Sequence, residues 1–147
     1  VKFQKRSIDV VYEHNYLASY RESPWGDTQR AQKEGLEFSE EDYIEAASYY
    51  EKAIDFNRNE YLYFENAAIS YDLSEMYSKA LNYYDIVIDQ FKPIDGRVEF
   101  YKGLMLIKTG DAKSGCKYIK QSSDKNFILN TTKISASNVL VSLCSNN

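Results

Sequence analysis

The sequence predicts an all-α fold assembled from repeated helix hairpins. Three observations carry that prediction: a pattern recurring every 34 to 35 residues, small residues at fixed places within it, and turn residues spaced to close each helix. Tyr43-Ile44-Glu45-Ala46-Ala47-Ser48-Tyr49-Tyr50-Glu51-Lys52-Ala53-Ile54 returns 34 residues later as Tyr77-Ser78-Lys79-Ala80-Leu81-Asn82-Tyr83-Tyr84-Asp85-Ile86-Val87-Ile88. A third copy, shifted by 35, runs from Gly110 to Ile119 and places Gly115 where Ala46 and Ala80 stand. Upstream of each copy a small residue precedes a large one by three: Gly35 and Phe38, Ala68 and Tyr71, Gly103 and Leu106. A small residue in each helix lets two backbones approach, and large side chains three or four positions away fill the remaining volume.

Taken in order, the spacing predicts helices over 28–38, 42–56, 60–73, 76–90, 95–109 and 111–123, with a last helix over 131–144. Gly35 and Phe38 mark the first. Glu40-Glu41-Asp42 opens the second, where carboxylates favour the positive end of the helix dipole. Asn57-Arg58-Asn59 breaks the chain before the third, and Pro93 with Asp95-Gly96 separates the fourth from the fifth. At Thr109-Gly110-Asp111, glycine closes one helix and aspartate caps the next. The last segment carries Ile134, Val139, Leu140, Val141 and Leu143 without an acidic residue, as a cap on an exposed flank would. Residues 1–27 stand outside the repeat. Ile8, Val11, Tyr12, Tyr16 and Tyr20 lie near helical spacing before a break at Ser23-Pro24-Trp25-Gly26, so this arm either covers the first repeat or docks elsewhere.

The period, the small-then-aromatic pairs and the Tyr-x-x-Ala-x-x-x-Tyr run resemble the tetratricopeptide repeat over residues 28–125. In the second copy Phe64, Ala67, Ala68, Tyr71, Tyr77, Ala80, Tyr84 and Val87 fall near the family's signature places, with Pro93 one place late. The first copy departs at Ala31 and Arg58, the third at Gly115 and Ser122. The resemblance implies a right-handed superhelical array of about three helix hairpins, 28–59, 60–94 and 95–125, followed by a capping helix and tail at 126–147. It also implies a non-enzymatic scaffold that binds a protein or peptide partner on its concave face. Carrying the family register over places Gln32, Leu36, Leu62, Glu65, Asn66, Ile69, Asp72, Arg97, Phe100, Tyr101, Leu104 and Lys108 on or near that face. Leu36, Ile69 and Leu104 take equivalent places and would form an apolar strip, unless the N-terminal arm or a second copy of the chain covers it. The family's clamp for a free peptide C-terminus is not expected, because Gln32, Leu36 and Tyr101 stand where its polar residues belong.

Composition narrows the function classes. A net charge of −4 with scattered Lys and Arg offers no basic stripe for nucleic acid. No apolar run approaches the roughly 20 residues that cross a bilayer, so no membrane insertion is expected, and a chain opening on Val1 leaves the compartment unread. A chain of 147 residues is expected to form a single domain. Its 14 tyrosines suit half-buried helix seams. No cofactor and no metal site are expected. Gly110-Asp111-Ala112-Lys113-Ser114-Gly115-Cys116-Lys117 has the glycine spacing of a phosphate loop, but Cys116 stands where the lysine is needed. His14 is the only histidine, and nothing near it in sequence suggests an activated nucleophile. Asn130-Thr131-Thr132 is formally a glycosylation sequon whose use depends on the compartment. Cys116 and Cys144 are too few for a disulfide framework, which leaves both a buried thiol pair and a single bridge open. Self-association without an external ligand is the alternative function.

Overall fold

The computed structural model describes residues 40–129 and 133–145. Among these it is mostly helical, with six α-helices in the order expected. They are α1 (Glu40–Phe56), α2 (Tyr61–Leu73), α3 (Tyr77–Ile86), α4 (Arg97–Lys108), α5 (Ala112–Asp124) and α6 (Ala136–Cys144). The helix expected over 28–38 and the arm of residues 1–27 lie outside the described residues. The chain divides into two compact units between Tyr83 and Tyr84, inside α3.

In the first unit, α1 packs on α2. Ala46, Ala47, Ala67 and Ala68, small residues of the repeat, have no solvent exposure, and Tyr43, Tyr50, Ile54 and Phe64 on the same two helices are buried too. Removing a methyl-sized side chain from solvent contributes little by itself. What the alanines permit is the approach that buries the large neighbours, each stabilising by about 1.5–3 kcal/mol. Tyr83 from α3 stacks on Tyr71 with ring centroids 6.0 Å apart and tilts against Phe64 at 6.2 Å.

In the second unit, α4 and α5 form a hairpin whose crossing point is glycine on glycine. A Cβ on Gly103 would stand 2.8 Å from the Gly115 carbonyl oxygen, and one on Gly115 would stand 2.7 Å from the Gly103 oxygen. The hairpin ends are fastened as well. The Ser122 hydroxyl donates to the Gly96 carbonyl at 2.7 Å, and Lys125 donates to Glu99 and to the Pro93 carbonyl. Gly96 begins α4 at φ 81°, a left-handed conformation with no room for a side chain beside Lys125 and Phe127.

Several local signals act as expected. Glu40, Glu41 and Asp42 occupy the first turn of α1. Gly110 turns at φ 104°, and the Asp111 carboxylate accepts the Ser114 amide at the start of α5. Two features were not expected. After Ile86 the helix widens into a π turn over Val87–Phe91, closed by Lys92 in the left-handed region. A π turn holds one residue more than an α turn. This fits the 35-residue step between Ala80 and Gly115 and the late Pro93. The segment expected to be helical from 131 instead begins as a ribbon: β1 (Ile128–Leu129) pairs antiparallel with β2 (Ile134–Ser135), and α6 starts only at Ala136. The Ser135 hydroxyl caps it by accepting the Asn138 amide.

Candidate functional site

The residues expected to face a partner fall on α2 in the first unit and on α4 in the second. Among its residues, Gln32 and Leu36 fall outside the described residues. On α2, Leu62 is half-buried, whereas Glu65, Asn66, Ile69 and Asp72 are buried, Ile69 to 1% exposure. On α4, Arg97, Phe100 and Tyr101 are buried, Leu104 is half-buried and Lys108 is exposed. The expectation that solvent reaches an open strip at Ile69 therefore needs correction. The physical reason is visible in α2 itself, where every residue from Phe64 to Asp72 is buried. A helix register fixes the side a residue occupies but not what covers it, and of the expected α2 positions Leu62 alone keeps partial exposure.

For Phe100 and Leu104 the covering residues are identified. Phe100, Ile119 and Ala136 form a buried cluster, against which Leu104, Ile107, Phe127, Leu129, Val139 and Leu140 pack. The rings of Phe100 and Phe127 lie 5.0 Å apart. The β1–β2 ribbon and α6 thus sit over the apolar face of the α4–α5 hairpin. A disulfide between Cys116 and Cys144, with Cα atoms 5.8 Å apart, ties α6 to α5. This resolves the pairing that the sequence left open.

Two polar knots went unrecognised in the sequence. The Tyr71 and Tyr83 hydroxyls each donate to one oxygen of Glu51, both at 2.6 Å. Burial, and then the bond to Glu51, raise both phenols well above the ordinary tyrosine range. In the second unit the buried Lys102 ammonium donates to Asp85 and to the Tyr118 hydroxyl, and lies 4.1 Å from the Tyr118 ring centroid. Burial lowers the pKa of Lys102, but the bonds to Asp85 and Tyr118 outweigh it and hold the ammonium charged above its ordinary value. Glu51 and Asp85 are one 34-residue period apart. An acidic residue recurring in register was the signal available in the sequence. Asn66 differs, since its buried amide has no hydrogen-bond partner among the described residues.

The phosphate-loop spacing marks no loop: Gly115 and Cys116 lie inside α5, where the glycine serves the helix crossing and the cysteine the disulfide. His14 and Asn130-Thr131-Thr132 lie outside the described residues. Among those described, no three His, Cys, Asp or Glu residues are grouped to hold a metal, and no helix is long and apolar enough to cross a membrane. No family model, curated protein or solved structure matches the chain.

Proposed function

We propose that the protein is a tetratricopeptide-like scaffold that binds a protein or peptide partner on its helical repeats without making or breaking bonds. In this proposal the hairpins continue one another as a right-handed superhelical array with a concave binding face. The supporting observation is the burial of small residues recurring 34 to 35 positions apart, Ala46, Ala47, Ala67 and Ala68 in one unit and Gly103 with Gly115 at a close helix crossing in the other. Stacked units of this kind hold a rigid surface in place at low conformational cost to binding.

The test is affinity capture from soluble and membrane fractions of the source cell, with the wild type compared to Leu62→Lys and Lys108→Glu. Both positions are open enough to change without burying a charge, unlike Ile69. Loss of one captured partner from either variant, with circular dichroism unchanged, is the expected result. Capture of nothing, or capture indifferent to both substitutions, would sink the proposal. Self-association is favoured by a different observation, the exposure of Ile128, Val141 and Leu143 on the C-terminal module. Light scattering that shows mass rising with concentration would decide for it.

A further inference from the structure

We propose that the β1–β2 ribbon and α6 form a redox-latched cover over the apolar face of the α4–α5 hairpin, shut by the Cys116–Cys144 disulfide and released by a protein dithiol. The latch rests on the binding proposal only for the purpose of the face it uncovers, since Phe100 and Leu104 belong to the expected partner surface.

Apart from its covalent bond, the cover is held mainly by the apolar contact around Ala136. At nine residues, α6 is shorter than the ~12–15 that a helix needs to persist alone in water, so it keeps its form only while docked. Its docking side offers Ala136, Val139 and Leu140, while Val141 and Leu143 face solvent at 67% and 49% exposure. Among the described residues its polar attachments include the Ala136 amide donating to the Phe127 carbonyl at 2.9 Å and the Ser123 and Ser137 hydroxyls meeting at 2.8 Å. A ribbon of two residues per strand is marginal without support. The hairpin beneath has its own fastenings, the Gly103–Gly115 crossing and the Ser122 and Lys125 bonds, so opening the cover leaves it assembled.

Cys116 and Cys144 are both half-buried, so the bridge is not sealed in the core. A thiolate of the dithiol attacks one sulfur and displaces the other as a thiolate, leaving a mixed disulfide. The second thiolate of the dithiol then attacks that bond and closes its own disulfide. Two electrons pass to the protein, and Cys116 and Cys144 each end with a proton from solvent.

The experiment treats the purified protein with a thioredoxin-class dithiol, reads the freed thiols by alkylation, and follows amide hydrogen exchange by mass spectrometry with no partner present. Exchange in α6 should rise by roughly two to three orders of magnitude, the factor that closing a 28-residue separation contributes on the chain-entropy model. Protection in α1 and α2 should stay, and fluorescence of the dye anilinonaphthalene sulfonate should increase. Cys116→Ser/Cys144→Ser should reproduce this without reductant. Sulfurs that stay oxidised under native conditions, α6 exchange unchanged after reduction, or protection lost across α1 and α2 would each overturn the latch, the last by showing a staple for the whole chain. Because no partner enters the measurement, its outcome and that of the capture experiment are independent.

Discussion

Replacing Gly115 by alanine sets two effects of opposite sign against each other. Alanine is the better helix former by about 1 kcal/mol, so propensity alone predicts stabilisation. The crossing predicts the reverse. The new Cβ would lie 2.6 Å from Ile107 Cγ1, 2.7 Å from the Gly103 carbonyl oxygen and 2.9 Å from the Ile107 amide nitrogen. Two of these three atoms are backbone and cannot turn aside, so the helices must separate. Overpacking of this kind costs about 1–3 kcal/mol, and a backbone obstacle places Gly115→Ala toward the upper end. Net of propensity, a loss of about 1–2 kcal/mol is expected. For a chain of this size that lowers the melting temperature by several degrees, at about 2–4 °C per kcal/mol. Gly103→Ala should destabilise as well, because its Cβ would stand 2.8 Å from the Gly115 carbonyl oxygen and 2.8 Å from the fully buried Ile119 side chain. The double variant should cost less than the sum, since both substitutions force the same separation. Urea unfolding followed by circular dichroism reads all three variants. A Gly115→Ala protein with a raised midpoint and unchanged slope would refute the close crossing.

Three further outcomes follow from the polar groups. Glu51→Ala should destabilise the protein by about 2 kcal/mol, measured by urea unfolding, because it strands the Tyr71 and Tyr83 hydroxyls together; Glu51→Gln, which keeps one acceptor, should cost less. Stability should be flat from neutral pH upward and fall above about pH 10, where unfolded tyrosine releases its proton. Burial first, then Asp42 for Tyr43 and Glu51 for Tyr71 and Tyr83, makes the folded phenols hold their protons longer, so the folded state binds more protons than the unfolded one there. Lys102 shifts in the same direction, and phenolate absorbance in the native protein that shows no late-titrating tyrosine would contradict the sign. Asn66→Leu should raise stability by about 1 kcal/mol in thermal melts, because it removes a buried amide without a partner among the described residues; destabilisation would show that the amide is satisfied in solution.

The existence and order of the six described helices, and the glycine crossing between α4 and α5, were legible in the sequence alone. Periodicity, Gly110-Asp111 and the small residues Ala46, Ala68, Gly103 and Gly115 act within a turn or across one helix contact, and such signals are written locally. The acidic positions Glu51 and Asp85 were also in register, but their donors come from 17 to 32 residues away and only packing selects them. The ribbon at Ile128 and Ile134 was hidden because two-residue strands have no measurable alternation. The burial of Ile69 and Arg97, the meeting of Cys116 with Cys144, and the place of Phe100 and Leu104 beneath the C-terminal module came from packing. The physical reason is common to all three: a helix register fixes which side of the helix a residue occupies, whereas exposure depends on what the rest of the chain lays against that side.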